Sequence, residues 1–406
     1  MTKRIFDTDV MQRTCQAVVT ACSPYKKGYA IQLDQTVFFP EGGGQLSDTG
    51  RLQTADKSVQ VTHVAEKDGD VLHETREAIP VGTHVKAVLD WESRMDHMQQ
   101  HCGEHLLSYA FWHLYQAHNI GFHMNPELVT IDFDKELTWE QAMAAEQLAN
   151  QHIQDNRPVT TQIVTPEEAA RMNLRKFNSK ITGPVRIVSI EGSDSCTCCG
   201  THPPMTGMVG LIKIFKVERH RGGTRLTLLC GRLALNRIRE EMVSATKAAN
   251  MLSVREADLP EAIERLQAEK NTLIESLHER TEQLLDYRLA EIQQRPCRDA
   301  QGNTLVVLLD NALDARSAKR MLERLLELPR MVAVLLYPHG ERVNYLVGTA
   351  PDATASAPDI LRSVNTELNG KGGGKAHQAQ GSAPYTPDAE NKVKSAINGK
   401  QVGCML

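Results

Sequence analysis

Two short segments constrain the fold of this chain more than any other feature of its sequence. Residues 101–105 read HCGEH and residues 198–202 read CCGTH, so each segment carries two metal-binding side chains four positions apart. Together they offer four ligands, which is the number that a tetrahedral zinc ion takes in proteins. The predicted ligands of one Zn²⁺ ion are His101, His105, Cys198 and His202. A chain that forms one site from two such distant segments has to fold so that they meet.

The two halves of this metal site are predicted to differ in backbone structure. Apolar residues recur at three- and four-residue steps through residues 94–117, which predicts a helix. Positions i and i+4 lie on one face of a helix, so His101 and His105 can reach one ion together. The downstream pair is predicted in a loop, because Gly200 and the prolines at 203 and 204 are incompatible with a regular helix.

The cysteine content fits a metal site better than a disulfide framework. The chain of 406 residues has nine cysteines, an odd number, and three of them crowd together at positions 196, 198 and 199. Clustered cysteine beside histidine in a chain of this size points to metal in a reducing compartment. The N-terminus lacks the apolar run of a signal peptide, and no window approaches the ~18 apolar residues of a membrane span. We therefore expect a cytoplasmic protein without a membrane partner.

The pattern of predicted elements divides the chain into four regions. Residues 1–90 are rich in β-type segments broken by glycine turns, and residues 91–235 mix helices with returning strands. Residues 236–295 are polar and almost free of glycine, as in a helical hairpin or coiled coil. Residues 296–406 alternate strands and helices, which is typical of a small α/β domain. The expected fold class is α+β, an antiparallel sheet with helices, followed by a helical linker and an α/β domain.

Three elements of these regions are predicted in more detail. Thr138 and Gln141 form a capping-box pattern at the start of a helix over residues 138–155, and residues 207–217 are predicted as a strand. Six apolar residues of the polar region fit one heptad seam, namely Ile263, Leu266, Leu273, Leu277, Leu284 and Tyr287. Such a seam is typical either of a hairpin that spaces two domains or of a coil that joins two copies of the chain. A homodimer through this segment or the C-terminal domain is therefore an open expectation.

A nucleic-acid partner would have to bind local patches of this chain, because the formal net charge is −4. Basic residues cluster at 171–180 and again at 213–225, and a third cluster surrounds three glycines near the C-terminus. The third is the strongest candidate, since backbone N–H groups exposed by glycine can hold phosphate. Its residues are Lys371, Gly372, Gly373, Gly374 and Lys375.

Four segments together resemble the alanyl-tRNA editing family, which comprises the editing domain of alanyl-tRNA synthetase and the freestanding AlaX proteins. Residues 36–50 (TVFFPEGGGQLSDTG) are similar to the family's glycine-rich motif, and residues 100–108 (QHCGEHLLS) to its His-x3-His-Leu-Leu motif. Residues 198–202 are similar to its Cys-Gly-Gly-Thr-His motif, with Cys199 in place of a glycine. Residues 370–381 (GKGGGKAHQAQG) are similar to the signature of the DHHA1 domain, the C-terminal module that contacts tRNA in the synthetase.

The resemblance implies a zinc-containing editing domain joined to a DHHA1-like tRNA-binding domain. Because only residues 1–35 precede the glycine-rich motif, we expect a long freestanding factor and not a synthetase. Its activity would be hydrolysis of the ester that joins a wrong amino acid, serine or glycine, to tRNA(Ala). Such editing is needed because a site for alanine cannot reject glycine by size, and it rejects an added hydroxyl only about a hundredfold.

The glycine-rich motif supplies the expected substrate-binding residues. We expect Thr36 to hydrogen-bond the serine hydroxyl and Gln45 to position the ester or the attacking water, with Asp48 as a third catalytic residue. The backbone is expected to approach the terminal adenosine at Gly42, Gly43 and Gly44. Zinc can polarise the ester, activate water or orient the substrate. A set of four protein ligands is also compatible with a structural ion.

Two other function classes fit parts of the sequence. Residues 101–105 match the His-x-x-Glu-His pattern of zinc peptidases, in which Glu104 would act as general base. That reading leaves Cys198 and His202 unexplained, and such a peptidase takes a carboxylate as its third ligand. The other class is a tRNA- or synthetase-binding factor with a purely structural zinc. Hydrolysis of a mischarged tRNA separates the editing enzyme from both.

Overall fold

The computed structural model of this protein describes residues 2–177, 183–294 and 296–398. Packing divides the chain into two compact units, residues 1–256 and residues 257–406. Each unit has its own apolar cores and is described by itself. Within the described ranges no helix is both long enough and apolar enough to cross a bilayer.

The first unit begins with a closed β-barrel, which the sequence predicted only as a β-rich region. Its strands are β1 (Lys3–Arg4), β2 (Thr14–Tyr25), β3 (Gly28–Leu33), β4 (Gln35–Thr36), β5 (Gly50–Gln53), β6 (Ser58–Lys67), β7 (Asp70–Thr75) and β8 (His84–Leu89). Six of them close in the order β2-β3-β7-β6-β5-β8, every pair antiparallel. In β8 the residues Val85, Ala87 and Leu89 are buried and alternate with more exposed ones, as a barrel wall requires.

The glycine-rich segment begins at β4, which pairs with β1 outside the barrel, and enters the barrel at β5. The entry point needs glycine, because Gly50 has φ +155° and a Cβ there would lie 2.2 Å from the Val88 carbonyl oxygen. Between these strands Val37, Phe38 and Phe39 are buried in the barrel core. The segment is therefore anchored on both sides, and its middle residues are presented to the rest of the unit.

The second half of this unit is an α+β arrangement. Its elements are α1 (Trp91–Tyr115), β9 (Asn119–Met124), β10 (Val129–Phe133), α2 (Trp139–Gln154), β11 (Val159–Val164), α3 (Pro166–Arg171), β12 (Val185–Ile190), β13 (Ser195–Thr197), β14 (Ile212–His220), β15 (Gly223–Cys230) and α4 (Gly231–Leu252). The antiparallel sheet β14-β15-β10-β9 shares one core with α1 and α2, and β11-β12-β13 form a smaller sheet. Residues of α1 such as Leu106, Leu107 and Phe111 are fully buried in that core.

Local sequence signals set most of these boundaries. The capping box at Thr138 is confirmed, since its side chain accepts from the Gln141 N–H and the Gln141 side chain accepts from the Thr138 N–H. The strand predicted over residues 207–217 is wrong at its start. Thr206–Val209 form a 3₁₀ turn, and Gly210 at φ +84° breaks the chain before β14 begins.

The second unit consists of a long helix, followed in the sequence by a sheet with helices on both faces. Its elements are α5 (Leu259–Gln294), β16 (Cys297–Arg298), β17 (Thr304–Leu309), α6 (Ala315–Leu325), β18 (Met331–His339), β19 (Arg342–Thr349), α7 (Ala357–Leu368), β20 (Lys371–Lys375), β21 (Gln378–Pro384) and α8 (Ala389–Asn398). Strand order is β16-β17-β18-β19-β21-β20. Only β17 and β18 pair in parallel, so the sheet is mixed and not the parallel one that strict strand–helix alternation would give.

The central strand β18 explains how this sheet is covered on both faces. Ala333 and Leu335 pack with α5 and α6, whereas Val334 and Leu336 pack with α7 and α8. A strand buried on both faces reads as a continuous apolar run, which is what the sequence shows here.

Candidate metal centre

The structure brings the two predicted ligand pairs together in the first unit. The ligand atoms of His101, His105, Cys198 and His202 all lie within 4.8 Å of one another. The Cys198 Sγ atom lies 3.3 Å from His101 Nε2 and 3.3 Å from His202 Nε2. In a tetrahedral zinc site, nitrogen and sulfur ligand atoms lie about 3.5 Å apart. The two distances from Cys198 are close to that value, and the four side chains together could hold one metal ion.

The predicted backbone of each half is confirmed. His101 and His105 stand one turn apart on α1, and Cys198 and His202 lie in the loop after β13. Gly200 in that loop has to be glycine, because a Cβ would lie 2.1 Å from His101 Cε1. The loop is also tied to β12, since Arg186 Nη1 donates to the carbonyl oxygens of residues 198 and 200, at 2.9 and 2.8 Å.

Gln45 of the glycine-rich segment fixes the orientation of His101. Its Oε1 atom accepts from His101 Nδ1 at 2.9 Å and from the Thr201 N–H at 2.9 Å, while its Nε2 donates to Thr201 Oγ1 at 2.8 Å. The hydrogen on Nδ1 leaves Nε2 of His101 as the ligand atom. Gln45 is 1% exposed, so the side chain expected to position substrate is engaged within the protein.

A buried ion pair fixes the orientation of His105. Its Nδ1 donates to Asp194 Oδ2 at 2.9 Å, which leaves Nε2 toward the other ligands. Arg175 holds the same carboxylate through two hydrogen bonds of 2.6 and 2.9 Å. Burial alone would raise the pKa of Asp194, but hydrogen bonds from Arg175 and His105 hold it well below its usual value. Neither residue was predicted from the sequence, because only the folded chain shows what β13 and its flanks face.

The charges of the centre favour a bound cation. Burial would raise the pKa of the Cys198 thiol, but the surrounding histidines hold that pKa well below its usual value, so the thiolate that binds metal is favoured. Burial lowers the pKa of His202 to about 3 and keeps its imidazole neutral. Burial would likewise lower the pKa of His105, yet neighbouring Cys196, Cys198 and Glu104 raise it well above its usual value. The thiolate of Cys198 and the neutral imidazole of His202 are the forms of these side chains that bind a metal ion.

A second group of potential ligands shares His105 but is not a second metal site in this arrangement. His105, Asp194 and Cys196 also lie within 4.8 Å of one another, with Cys196 Sγ 3.4 Å from His105 Nδ1. The guanidinium of Arg175 already occupies both oxygens of Asp194. A second cation beside that guanidinium would be repelled, so Asp194 and Cys196 surround the ligand shell without joining it.

Asp48 holds the glycine-rich segment through a fully buried ion pair. Arg94 Nε lies 2.9 and 3.0 Å from the two oxygens of Asp48, and Arg94 Nη2 contacts the same carboxylate. The Phe39 N–H donates to Asp48 Oδ2 at 2.6 Å, and Arg94 also donates to the Val37 carbonyl oxygen at 2.7 Å. Both charged side chains are 0% exposed. Asp48 therefore stands as a positioning residue between the segment and α1.

Thr36 is fully buried, with its hydroxyl bonded to the barrel. His73 Nδ1 lies 2.9 Å from the Ile31 carbonyl oxygen, so Nδ1 carries the hydrogen and Nε2 accepts from Thr36 Oγ1 at 2.8 Å. The Phe38 N–H donates to the same hydroxyl oxygen at 3.1 Å. One lone pair of the Thr36 hydroxyl has no partner in the described part of the chain.

Two of the three consecutive glycines, Gly43 and Gly44, lie beside the candidate metal centre. Gly43 and Gly44 have φ values of +61° and +82°, and a Cβ on Gly44 would lie 2.6 Å from Phe122 Cδ1. Phe122 in turn stacks on the ring of His101, with ring centroids 5.5 Å apart. Gly42 bridges Gln45 at the base of the turn. The glycines thus let the segment turn tightly beside a metal ligand.

The basic clusters differ in how far their charges are neutralised. In the run 171–180 Arg175 faces inward to Asp194, and residues 178–180 lie outside the described residues. Four side chains of the run 213–225 are ion-paired, namely Lys213, Lys216, Arg219 and Arg225. By contrast Lys371 and Lys375 are exposed at the two ends of β20, an edge strand of the second unit. The late cluster therefore presents two exposed lysines on one edge strand, and Arg171, Lys176 and Arg221 of the other two runs are exposed as well.

Two protein-family models match segments of the first unit. Residues 7–93 match the class II (A) tRNA synthetases, and residues 185–226 match the second additional domain of threonyl and alanyl tRNA synthetases. These segments contain the glycine-rich motif and the Cys198–His202 loop. The match therefore covers both parts that meet the ligand helix α1.

Relatives extend the similarity to nearly the whole chain. The alanyl-tRNA editing protein AlaX-L of Pyrococcus horikoshii is 27% identical over 96% of this chain and 96% of that protein. The alanyl-tRNA editing protein Aarsd1 of Mus musculus is 31% identical, with 65% of each chain covered. The alanine–tRNA ligase of Pyrococcus abyssi is 30% identical over 90% of this chain, which spans only 41% of that ligase. The chain therefore belongs to the alanyl-tRNA editing family, together with AlaX-L and the corresponding part of alanyl-tRNA synthetases.

Proposed function

We propose that this protein is a trans-editing hydrolase that deacylates tRNA(Ala) mischarged with serine or glycine. The observation that carries the proposal is a four-ligand metal centre built against the glycine-rich segment. The similarity to AlaX-L over 96% of both chains supports it. The peptidase reading is weaker, because the set of four ligand residues contains no carboxylate.

Zinc fits the donor set of this centre, and we propose it as the resident ion. A zinc ion held by the four ligands would supply Lewis-acid polarisation of the ester carbonyl. Gln45 and Asp194 keep the Nε2 atoms of His101 and His105 available to it. Burial of the ligands excludes bulk water and so strengthens every electrostatic contact with the ester.

Thr36 is proposed to select serine. A serine hydroxyl can donate to the remaining lone pair of the Thr36 hydroxyl, whereas alanine has nothing to donate. Thr36→Val keeps the shape of the side chain and should slow hydrolysis of the seryl ester about 10- to 100-fold. Hydrolysis of the glycyl ester serves as the internal control and should not change. An equal loss with both esters would remove the selective role from Thr36.

We propose that the glycine-rich segment shapes the substrate pocket by holding its own backbone in place. The residues involved are Gln45, Asp48 and the glycines 42–44. Gln45 joins the segment to His101, and Asp48 joins it to α1. Glycine at position 44 avoids a clash with Phe122, and Gly43 lies beside residues 199 and 200 of the ligand loop, where the terminal adenosine would approach. Their replacement should therefore raise KM for the charged tRNA more than it lowers kcat.

The second unit is proposed to act as a DHHA1-like tRNA-binding domain through the cluster Lys371–Lys375. Two exposed lysines on one edge strand can neutralise about two phosphates, and backbone groups of the glycines between them stay accessible. Replacing Lys371 and Lys375 by alanine should weaken tRNA binding and reduce its salt dependence by a slope of about 1–2. Lys392→Ala is a matched control, because Lys392 is paired with Asp388 in the same unit. An unchanged salt slope would reject the assignment.

The heptad seam of α5 is proposed to join two copies of the chain. All six seam residues are exposed, from 44% for Ile263 to 78% for Tyr287. A seam of this length, left uncovered, is the pattern of a coiled-coil dimer. Sedimentation of the wild type and of Leu277→Asp should show a dimer and a monomer, respectively; a monomeric wild type would reject the proposal. We also propose that the protein acts in the cytoplasm, where charged tRNA is used.

The function is tested by incubating the protein with tRNA(Ala) charged with serine, glycine or alanine. The proposal expects rapid hydrolysis of the seryl or glycyl ester and little hydrolysis of the alanyl ester. Casein is the parallel substrate for the peptidase reading. Failure to hydrolyse any mischarged tRNA(Ala) would leave a tRNA-binding factor with a structural metal.

A further inference from the structure

A buried carboxylate faces the metal centre without being one of its ligands. Glu104 precedes the ligand His105 on α1 and is 6% exposed. Its Oε1 atom accepts from Ser108 Oγ at 2.6 Å and from Asn119 Nδ2 at 2.5 Å. Its Oε2 atom lies 3.7 Å from His105 Nε2, the atom turned toward the other ligands. One oxygen is therefore fixed by donors, and the other points to the site.

The hydrogens of this small network are all used. Both hydrogens of Asn119 Nδ2 are taken, by Glu104 Oε1 and by Ser108 Oγ at 2.9 Å, while the Ser108 hydroxyl donates to Glu104. Two acceptor atoms remain, Glu104 Oε2 and Asn119 Oδ1. Within the described residues no hydrogen bond reaches Glu104 Oε2, which lies 3.7 Å from His105 Nε2, and Asn119 Oδ1 is buried without a hydrogen-bond partner. The network is thus complete except for a group that brings hydrogens of its own.

The missing group should be a cationic hydrogen-bond donor. Once His105 Nε2 binds the metal it has no hydrogen to offer to Glu104. The Glu104 side chain is only 8% exposed, so a ligand that carries N–H groups and positive charge is favoured at its Oε2 atom. Every aminoacyl ester carries such a group: the nitrogen of its α-ammonium lies about 2.5 Å from the ester carbonyl carbon. An ester held at the metal would therefore place its ammonium within a few ångströms of the ligand shell.

We propose that Glu104, with Asn119 beside it, binds the α-ammonium group of the aminoacyl ester and makes the site specific for esters of α-amino acids. This rests on the deacylase function proposed above. Glu104 recognises the part that all amino acids share, whereas Thr36 senses the side chain. The division lets one site accept both serine and glycine and reject esters of other acids.

A pair of substrates that differ only at the α-position tests this inference. Seryl-tRNA(Ala) is compared with the same tRNA after nitrous acid has replaced its α-amino group by hydroxyl. Each enzymatic kcat/KM is divided by the uncatalysed hydrolysis rate of the same ester, which removes the intrinsic difference in reactivity. The wild type should prefer the amino ester by about 10- to 100-fold, and Glu104→Gln should reduce that preference to within about twofold. Glu92→Gln, an exposed glutamate on the same helix, is the matched control and should keep it.

The outcomes separate this inference from the proposed function. No hydrolysis of either seryl-tRNA(Ala) or glycyl-tRNA(Ala) by the wild type means that the deacylase function itself is wrong. An active wild type without preference for the amino ester overturns the inference, even if Glu104→Gln does not fold. Equal loss of both substrates in Glu104→Gln with zinc retained means that Glu104 acts on the attacking water. Loss of zinc from Glu104→Gln, measured by metal analysis, means that the carboxylate is a ligand; either result overturns ammonium binding.

Discussion

Replacing Asp48 by asparagine should destabilise the first unit by about 3–5 kcal/mol. Asp48 and Arg94 are both 0% exposed, and the carboxylate receives hydrogen bonds from the Arg94 guanidinium and from the Phe39 N–H. Asparagine can still accept from Phe39 but cannot neutralise Arg94. The cost is therefore that of a buried guanidinium left without a counter-ion. The exposed ion pair between Glu136 and Arg219 serves as a control. Glu136→Gln breaks this pair and should lower the stability by less than about 1 kcal/mol.

Urea unfolding followed by tryptophan fluorescence isolates this effect. The three tryptophans, Trp91, Trp112 and Trp139, all belong to the first unit, so their emission reports on that unit alone. The double variant Asp48→Asn/Arg94→Met removes the stranded charge and should be at least as stable as Asp48→Asn. A loss below about 1 kcal/mol for Asp48→Asn would refute the reasoning. The reasoning would also be refuted if the double variant were less stable than Asp48→Asn by about 3 kcal/mol or more.

Three further changes test the metal centre and the barrel. Asp194→Asn should weaken zinc binding about 10- to 100-fold in competition with a chelator, because a neutral amide holds the His105 imidazole less strongly than the carboxylate does; unchanged affinity would contradict this role. Gly200→Ala should also weaken zinc binding, since the new Cβ would lie 2.1 Å from His101 Cε1. Burial, opposed by the bond to the Ile31 carbonyl, lowers the pKa of His73 to about 4 from a usual 6.5. The unfolded state therefore binds the proton first as pH falls below 6.5, and stability is lost down to pH 4. Between pH 7 and 4.5 the wild type should lose about 2.5 kcal/mol more than His73→Gln by the same urea assay, and equal losses would refute this.

The candidate metal ligands were predictable because the donor chemistry of each is explicit in its residue type. Histidines four apart on a helix face, and a cysteine and histidine spaced alike in a loop, leave few alternatives. The residues around them were not predictable in the same way. Asp194 and Arg175 occur in segments with no metal-binding pattern, and only the packing of β13 and its flanks beside α1 turns them toward His105.

The roles of the polar residues in the glycine-rich segment were also not predictable from the sequence. Its sequence marked the polar residues Gln45 and Asp48, but their partners come from distant parts of the chain, Thr201 and Arg94. Both side chains are used to hold the segment, which sequence alone cannot distinguish from contact with substrate. Closure of the barrel could not be predicted from the sequence either. The residue pattern of a strand is local, whereas the barrel closes by pairing β2 with β8, which is distant in the sequence.

The most direct test of this account is to titrate metal-free protein with zinc while measuring hydrolysis of seryl-tRNA(Ala). We expect about one tightly bound zinc ion per chain, and the rate of deacylation should rise in proportion to the bound zinc. Cys198→Ala and His101→Ala should lose both the zinc and the activity. Full deacylation by metal-free protein, or by a Cys198→Ala variant that binds no zinc, would contradict the central claim.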